Sequence, residues 1–97
     1  KSSGLEDIQR SNTLLVEAGD LFEQASREKD LPPEKQADRL FQSALAFQAA
    51  DQPDKGASSL FRLKTLPAKA ELLSEANYRL GEYYRSRGEK TKALEMY

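Results

Sequence analysis

Apolar residues recur along this chain at the three- and four-residue spacing of amphipathic helices, and no stretch alternates as a strand would. Leu5, Ile8, Leu14, Leu15, Ala18, Leu21, Phe22 and Ala25 mark a first helix over about residues 5–27, with a core-facing stripe along it. Leu31-Pro32-Pro33 breaks it, because a residue before proline avoids helical backbone, and Pro33 can open the next helix, where its missing donor costs nothing. A second helix over about 34–50 presents Ala37, Leu40, Phe41, Ala44, Leu45, Phe47 and Ala49. Its many alanines predict close contact on more than one side, so it should be the most buried element. Asp51-Gln52-Pro53-Asp54 reads as a tight turn with Asp51 as a helix cap, leading into a third helix over about 54–65. Leu66-Pro67 ends that helix, and a fourth over about 68–87 carries Leu72, Leu73, Ala76, Leu80, Tyr83 and Tyr84, with Glu75 and Arg79 as an i,i+4 pair. Gly88 suits the left-handed residue that closes it, and a fifth helix follows over 90–97. The expected fold is all-α: a single domain over 1–97 of about five helices in short-loop antiparallel hairpins.

Sliding the chain against itself by 37 residues sets Phe41 on Tyr78, Ala44 on Gly81, Phe47 on Tyr84, Lys55 on Lys92 and Leu60 on Tyr97. Small residues fall on small ones and aromatics on aromatics. Ser43 then stands for Leu80, Asp51 for Gly88 and Gly56 for Ala93, so the earlier copy is the degenerate one. Gly81 should allow a neighbouring helix to approach closely, and a larger residue there should overpack. Gly19 and Gly56 are likewise expected to serve packing.

With 97 residues and 38% hydrophobic content, the chain can bury a modest core but not one that encloses a large substrate. The fifth helix has barely begun at Tyr97, so the stack is expected to continue in a longer protein. Fifteen basic against sixteen acidic residues give a net charge of -1, with no block of like charge. Nucleic acid is therefore an unfavoured partner: the densest basic stretch, Arg79 to Lys92, is interleaved with Glu82 and Glu89, and reads as a solvated helix face. No apolar run approaches the roughly 18 residues of a membrane helix, so no direct membrane insertion by these residues is expected, and Lys1 to Gly4 lacks a signal-peptide core. The absence of cysteine leaves the compartment open between cytoplasm and periplasm.

With neither His nor Cys, the common nucleophile–base pairs and the imidazole or thiolate metal sites cannot be assembled. Glu17 with Asp20 would be the carboxylate pair of any remaining catalytic scheme, with Tyr83 beside it, but exposed helix faces commonly carry such residues. No phosphate loop or calcium loop is present, and the five glycines are scattered. The expectation is a protein without catalytic residues, cofactor or metal. Phe41, Phe47, Tyr78, Tyr83 and Tyr84 read as core at their helical spacing, Tyr78 and Tyr83 being the two most apt to lie outside it.

From Ser74 to Tyr97, the positions of Leu80, Gly81, Tyr84, Gly88, Ala93 and Tyr97 resemble the tetratricopeptide repeat, though the 37-residue period exceeds that family's usual length of about 34. The likeness is weaker over Ala37 to Leu60 and absent as a motif before Pro33. It implies a tetratricopeptide-like α-solenoid whose function is binding of a protein or peptide partner. By this resemblance Asp38, Phe41, Leu45 and Gln48 of one repeat, and Glu75, Tyr78, Glu82 and Arg85 of the next, face the binding groove. The Lys and Asn clamp of chaperone-tail adaptors is not matched, since the corresponding positions hold Phe41, Gln42, Leu45, Tyr78, Arg79 and Glu82. The stretch from Gln36 to Leu94 is also similar to the N-terminal helical domain of outer-membrane lipoproteins that activate penicillin-binding proteins. That alternative would place the protein in the periplasm, anchored to the outer membrane outside these residues, with a peptidoglycan synthase as partner.

Overall fold

The computed structural model describes the backbone of residues 3–97 and the side chains from Asp7 onward. Helices α1 (Ser3–Ala25), α2 (Pro33–Ala49), α3 (Pro53–Lys64), α4 (Ala70–Ser86) and α5 (Lys90–Met96) account for all the regular structure among the described residues. Each helix packs chiefly on its neighbour in the chain, giving a slab of 48 × 38 × 17 Å. The expected all-α class and helix number hold, with boundaries within about two residues of those read from the pattern.

The connections follow from local chemistry. Pro33 and Pro53 each occupy the first turn of a helix, where a missing N–H leaves no bond unmade. Asp51 is not a side-chain cap for α3; it has φ 59° and takes the left-handed position after α2, as Gly88 does after α4 with φ 76°. The backbone bonds of the two turns match. Gln52 donates to the carbonyl of Phe47 at 2.8 Å and Asp51 to that of Gln48 at 3.1 Å; Glu89 donates to Tyr84 at 2.9 Å and Gly88 to Arg85 at 3.0 Å. Both turns are Schellman closures, and they stand one 37-residue period apart. The fourth helix begins at Ala70 rather than near Ala68, because Lys69 is still extended at φ -62°, ψ 145°.

Leu40, Leu60, Leu63 and Leu80 are the largest apolar side chains sealed from solvent, and Ala37, Ala44, Ala57 and Ala76 fill the spaces between them. This alternation of large and small lets helix backbones approach closely. The second helix is covered by both α1 and α3, as its alanines predict, but it is not the most buried element: α3 buries five residues of its 12, as many as α2 does in 17, because α2 and α4 flank the shorter helix. Ser43, standing where the later copy has Leu80, is buried and satisfied: its hydroxyl donates to the Gly19 carbonyl at 2.8 Å and lies 3.2 Å from the Ser59 hydroxyl. Gly19 admits the Phe47 ring so closely that a Cβ there would stand 2.7 Å from it.

The first helix departs from its expected core stripe. Ile8, Leu14 and Leu21 are 60%, 58% and 64% exposed, and Leu15, Ala18, Phe22 and Ala25 are half-buried. A stripe broad enough to be met on two sides is met on one, by α2. Leu5 lies outside the described side chains.

Candidate partner-binding surface

The second and fourth helices, which the 37-residue offset aligns, meet through Arg79. Its Nε donates to Glu75 Oε1 at 2.9 Å, its Nη1 donates to Gln48 Oε1 at 2.8 Å, and its guanidinium lies 5.6 Å from the centroid of the Phe41 ring. Three of the eight sequence-selected groove residues, Phe41, Gln48 and Glu75, are therefore joined by one arginine. The expected i,i+4 pair of Glu75 and Arg79 forms, and it is part of this wider cluster. Each contact is partly exposed and worth about 0.5–1 kcal/mol, so together they fix the orientation of α4 on α2 more than they add stability.

Beside this cluster is a shallow cleft of about 300 Å³ lined by Asp38, Phe41, Lys69, Glu71, Leu72 and Glu75. Its apolar lining comes from Phe41 and Leu72, and its charged lining is Asp38, Glu71 and Lys69 with Glu75, whose carboxylate is already paired with Arg79. Such a cleft favours a ligand segment with an aliphatic or aromatic stem and a cationic tip. Lys69, Glu71 and Leu72 were not among the sequence-selected groove residues. They belong to the entry of α4, where the pattern predicts a start two residues earlier, and of their counterparts one period back, Pro32, Glu34 and Lys35, only Glu34 shares their chemistry.

Tyr78, Glu82 and Arg85 gather separately, around Tyr97. The Tyr97 hydroxyl donates to Glu82 Oε1, its ring meets that of Tyr78 at 6.0 Å, and Glu82 pairs with Arg85 at 3.8 Å. The hydrogen bond to the Glu82 carboxylate, followed by burial, raises the pKa of the Tyr97 phenol. Tyr97 also packs over Gly81, where a Cβ would stand 2.7 Å from its ring, so Gly81 does admit a close neighbour from the last helix. The eight residues thus form two groups rather than one continuous groove. Leu45, half-buried on α2, belongs to neither set of polar contacts.

Elsewhere, a cleft of about 350 Å³ between α1 and α3 is lined by Asp20, Glu23, Arg27, Phe47, Lys55, Ser58, Ser59 and Arg62. Glu23 accepts from both Arg27 and Arg62, and Lys55 lies over the Phe47 ring at 5.7 Å. Glu17 lines a different cleft, with Asn12, Thr13, Val16, Ala50 and Gln52. The Tyr83 hydroxyl is far along the chain from both carboxylates and donates to Asp54 Oδ1 at 2.6 Å, while Arg87 reaches the same oxygen at 3.1 Å. That hydrogen bond, then desolvation, raises the Tyr83 pKa. Glu17 and Asp20 line separate clefts, and Tyr83 lines neither of them. Of the aromatics, Phe47 is buried, Phe41, Tyr83 and Tyr84 are half-buried, and Tyr78 is 55% exposed.

Among the described residues there is no cluster of metal-ligating side chains and no helix long and apolar enough to cross a membrane. No family profile, no curated protein and no solved structure matches the chain.

Proposed function

We propose that this chain is a noncatalytic scaffold with a tetratricopeptide-like helical arrangement that binds a partner protein or peptide along the face shared by α2 and α4. The observation that carries the reading is the junction at Arg79, where side chains of two helices from successive repeats meet beside an open cleft with an apolar and mainly acidic lining. The recurrence of the same turn one period apart supports the repeat. The acidic lining narrows the ligand to an extended or helical segment that offers a lysine or arginine next to an apolar residue.

The resemblance to lipoprotein activators of penicillin-binding proteins makes a peptidoglycan synthase the first partner to try, and the compartment under that reading is the periplasm. The test is a quantitative pull-down comparing the wild type with an Asp38→Lys, Glu71→Lys double variant. Both residues are exposed, so circular dichroism should stay unchanged. Partners captured only by the wild type are then titrated in purified form, with an expected loss in affinity of about tenfold or more for the variant. A cell-wall synthase in that set would favour the lipoprotein reading, and a cytosolic partner a general adaptor. Equal binding by both proteins would remove the α2–α4 cleft from the contact.

A further inference from the structure

The cleft between α1 and α3 has no part in the function proposed above, and its charges do not balance. Lys55, Ser58 and Arg62 stand at positions i, i+3 and i+7 of α3 and so share one face of it. The one acidic residue of α3, Asp54, is engaged elsewhere, by Tyr83 and Arg87 at the end of α4. Across the cleft, α1 contributes Asp20 and Glu23, and Arg27 follows just beyond its end. Three cations therefore line the cleft against two carboxylates, an excess of one positive charge.

The pairing inside the cleft shows where that excess sits. Glu23 takes donors from both arginines on a single oxygen: Arg27 Nε at 2.7 Å, Arg27 Nη2 and Arg62 Nη1 all reach Oε1. One carboxylate serves two guanidinium groups, and neither arginine has another ion-pair partner among the described residues. A guanidinium carries five N–H donors, so most of those on the two forks are left for solvent or for a second acceptor. The two side chains are 62% and 43% exposed, which keeps those donors within reach of one. Lys55 lies over the Phe47 ring and, like Asp20, makes no ion pair among the described residues. These two offset each other in the sum, and the excess belongs to Arg27, Glu23 and Arg62.

A second carboxylate fits this arrangement. The arginines already hold one such group through charge-assisted hydrogen bonds, and a single added negative charge neutralises the cluster. A phosphate dianion or a nucleic-acid strand would bring two or more negative charges beside Asp20 and Glu23. At about 350 Å³ the cleft is near the lower limit of small-molecule sites, about 300–1,000 Å³, and it is open, which suits a side chain presented by a larger partner.

We propose that the α1–α3 cleft is a second partner-binding site, which takes an aspartate or glutamate side chain from an acidic segment of a partner protein on Arg27 and Arg62, with Ser58 as a further donor. Glu23 is the built-in competitor, since it occupies donors that the incoming carboxylate uses. The site shares no residue with the α2–α4 cleft and takes the opposite charge, so it stands or falls apart from the binding proposed there.

The probe is hexaglutamate, acetylated and amidated at its ends, titrated into the isotope-labelled chain at roughly 20 mM salt with amide shifts as the readout. Saturable shifts are expected at Arg27, Ser58 and Arg62, with a Kd of about 1 mM or below that weakens at roughly 0.2 M salt. Arg62→Gln leaves a neutral Arg27–Glu23 pair and should weaken binding at least about fivefold, and Arg27→Gln, at the more exposed arginine, should do the same. Glu23→Gln frees both arginines and should tighten binding about fivefold, a gain that a merely structural role for Glu23 does not give. Circular dichroism checks that each variant is folded; if Glu23→Gln is not, the two arginine variants decide. The proposal is overturned if hexaglutamate gives no saturable shift, if both arginine variants bind like the wild type, or if folded Glu23→Gln binds more weakly. Inorganic phosphate moving these amides where hexaglutamate does not would assign the cleft to a free anion instead. Shifts of the same amides on raising the protein concentration alone would assign it to a second copy of the chain, and either result also overturns the proposal.

Discussion

The hairpins α2–α3 and α4–α5 are two copies of one plan, and they differ in what covers them. Both turn through three residues with the same pair of backbone bonds around a left-handed residue, and both place a small buried residue, Gly56 or Ala93, one turn into the second helix. The inner copy has α1 on one side and α4 on the other, and its Leu60 is fully buried. Its counterpart Tyr97 is 58% exposed. The period therefore dictates where the chain turns and where helices may approach, while burial is decided by the neighbour that arrives.

The sharpest way to break this comparison is to truncate equivalent side chains. Leu60→Ala should cost about 3 kcal/mol in urea unfolding, as expected for a sealed leucine whose cavity cannot collapse fully, and Tyr97→Ala at most about 1 kcal/mol. Equal losses would mean that the outer hairpin is as fully packed as the inner one. The next test uses two glycines that face aromatic rings at the same 2.7 Å. Phe47, opposite Gly19, is 4% exposed and has nowhere to move, so Gly19→Ala should cost about 1–3 kcal/mol by overpacking. Tyr97, opposite Gly81, can swing toward solvent, and alanine gains up to about 1 kcal/mol of helix propensity over glycine. Gly81→Ala should therefore stay within about 0.5 kcal/mol of the wild type, and the overpacking expected there from sequence holds only for residues that Tyr97 cannot escape.

A smaller pair of effects concerns the turns. Gly88→Ala places a Cβ on a residue at φ 76° and should lower stability by about 1 kcal/mol, whereas Asp51→Gly relieves a non-glycine residue at φ 59° and should raise it by about 0.5–1 kcal/mol. Thermal melts of the two variants moving in opposite directions would show that both turns need the same backbone.

These comparisons also mark what the sequence could reveal. Prolines, Gly88 and the three- and four-residue spacing located every helix, because those signals act on the backbone within one turn of the chain. The matching of Asp51 to Gly88 was visible as an alignment of two residues, but its meaning, a left-handed residue rather than a side-chain cap, needed the backbone angle. Spacing alone could not tell that Leu14 and Leu21 face outward, since periodicity identifies an apolar face without saying whether a neighbour covers it. The site was legible for the same reason only in part. Phe41, Gln48 and Glu75 do converge, yet the spacing shows Arg79, which joins them, only as an i,i+4 partner of Glu75 and a lone cation among the clamp positions, because a long side chain's reach across helices is not written in its spacing.

The smallest effect tests the contact that ties the outer hairpin to the inner one, from Tyr83 of α4 to Asp54 of α3. The phenol donates to the carboxylate only while protonated, so its pKa is raised above the ordinary value of about 10. An unfolded chain loses that proton first as pH rises, hence the folded state binds more protons in this window and stability falls with increasing pH. The contribution is fully present below about pH 10 and is lost as the pH passes through the raised folded value. Asp54 is largely exposed and shared with Arg87, which keeps the effect below about 1 kcal/mol. Urea unfolding of wild type and Tyr83→Phe should show a constant small advantage for the wild type at neutral to mildly alkaline pH, narrowing above about pH 10. A gap that widens there instead would mean that the phenolate is held by Arg87, whose guanidinium lies 5.5 Å from the Tyr83 ring centroid, and that this arginine rather than Asp54 is what fastens Tyr83 in place.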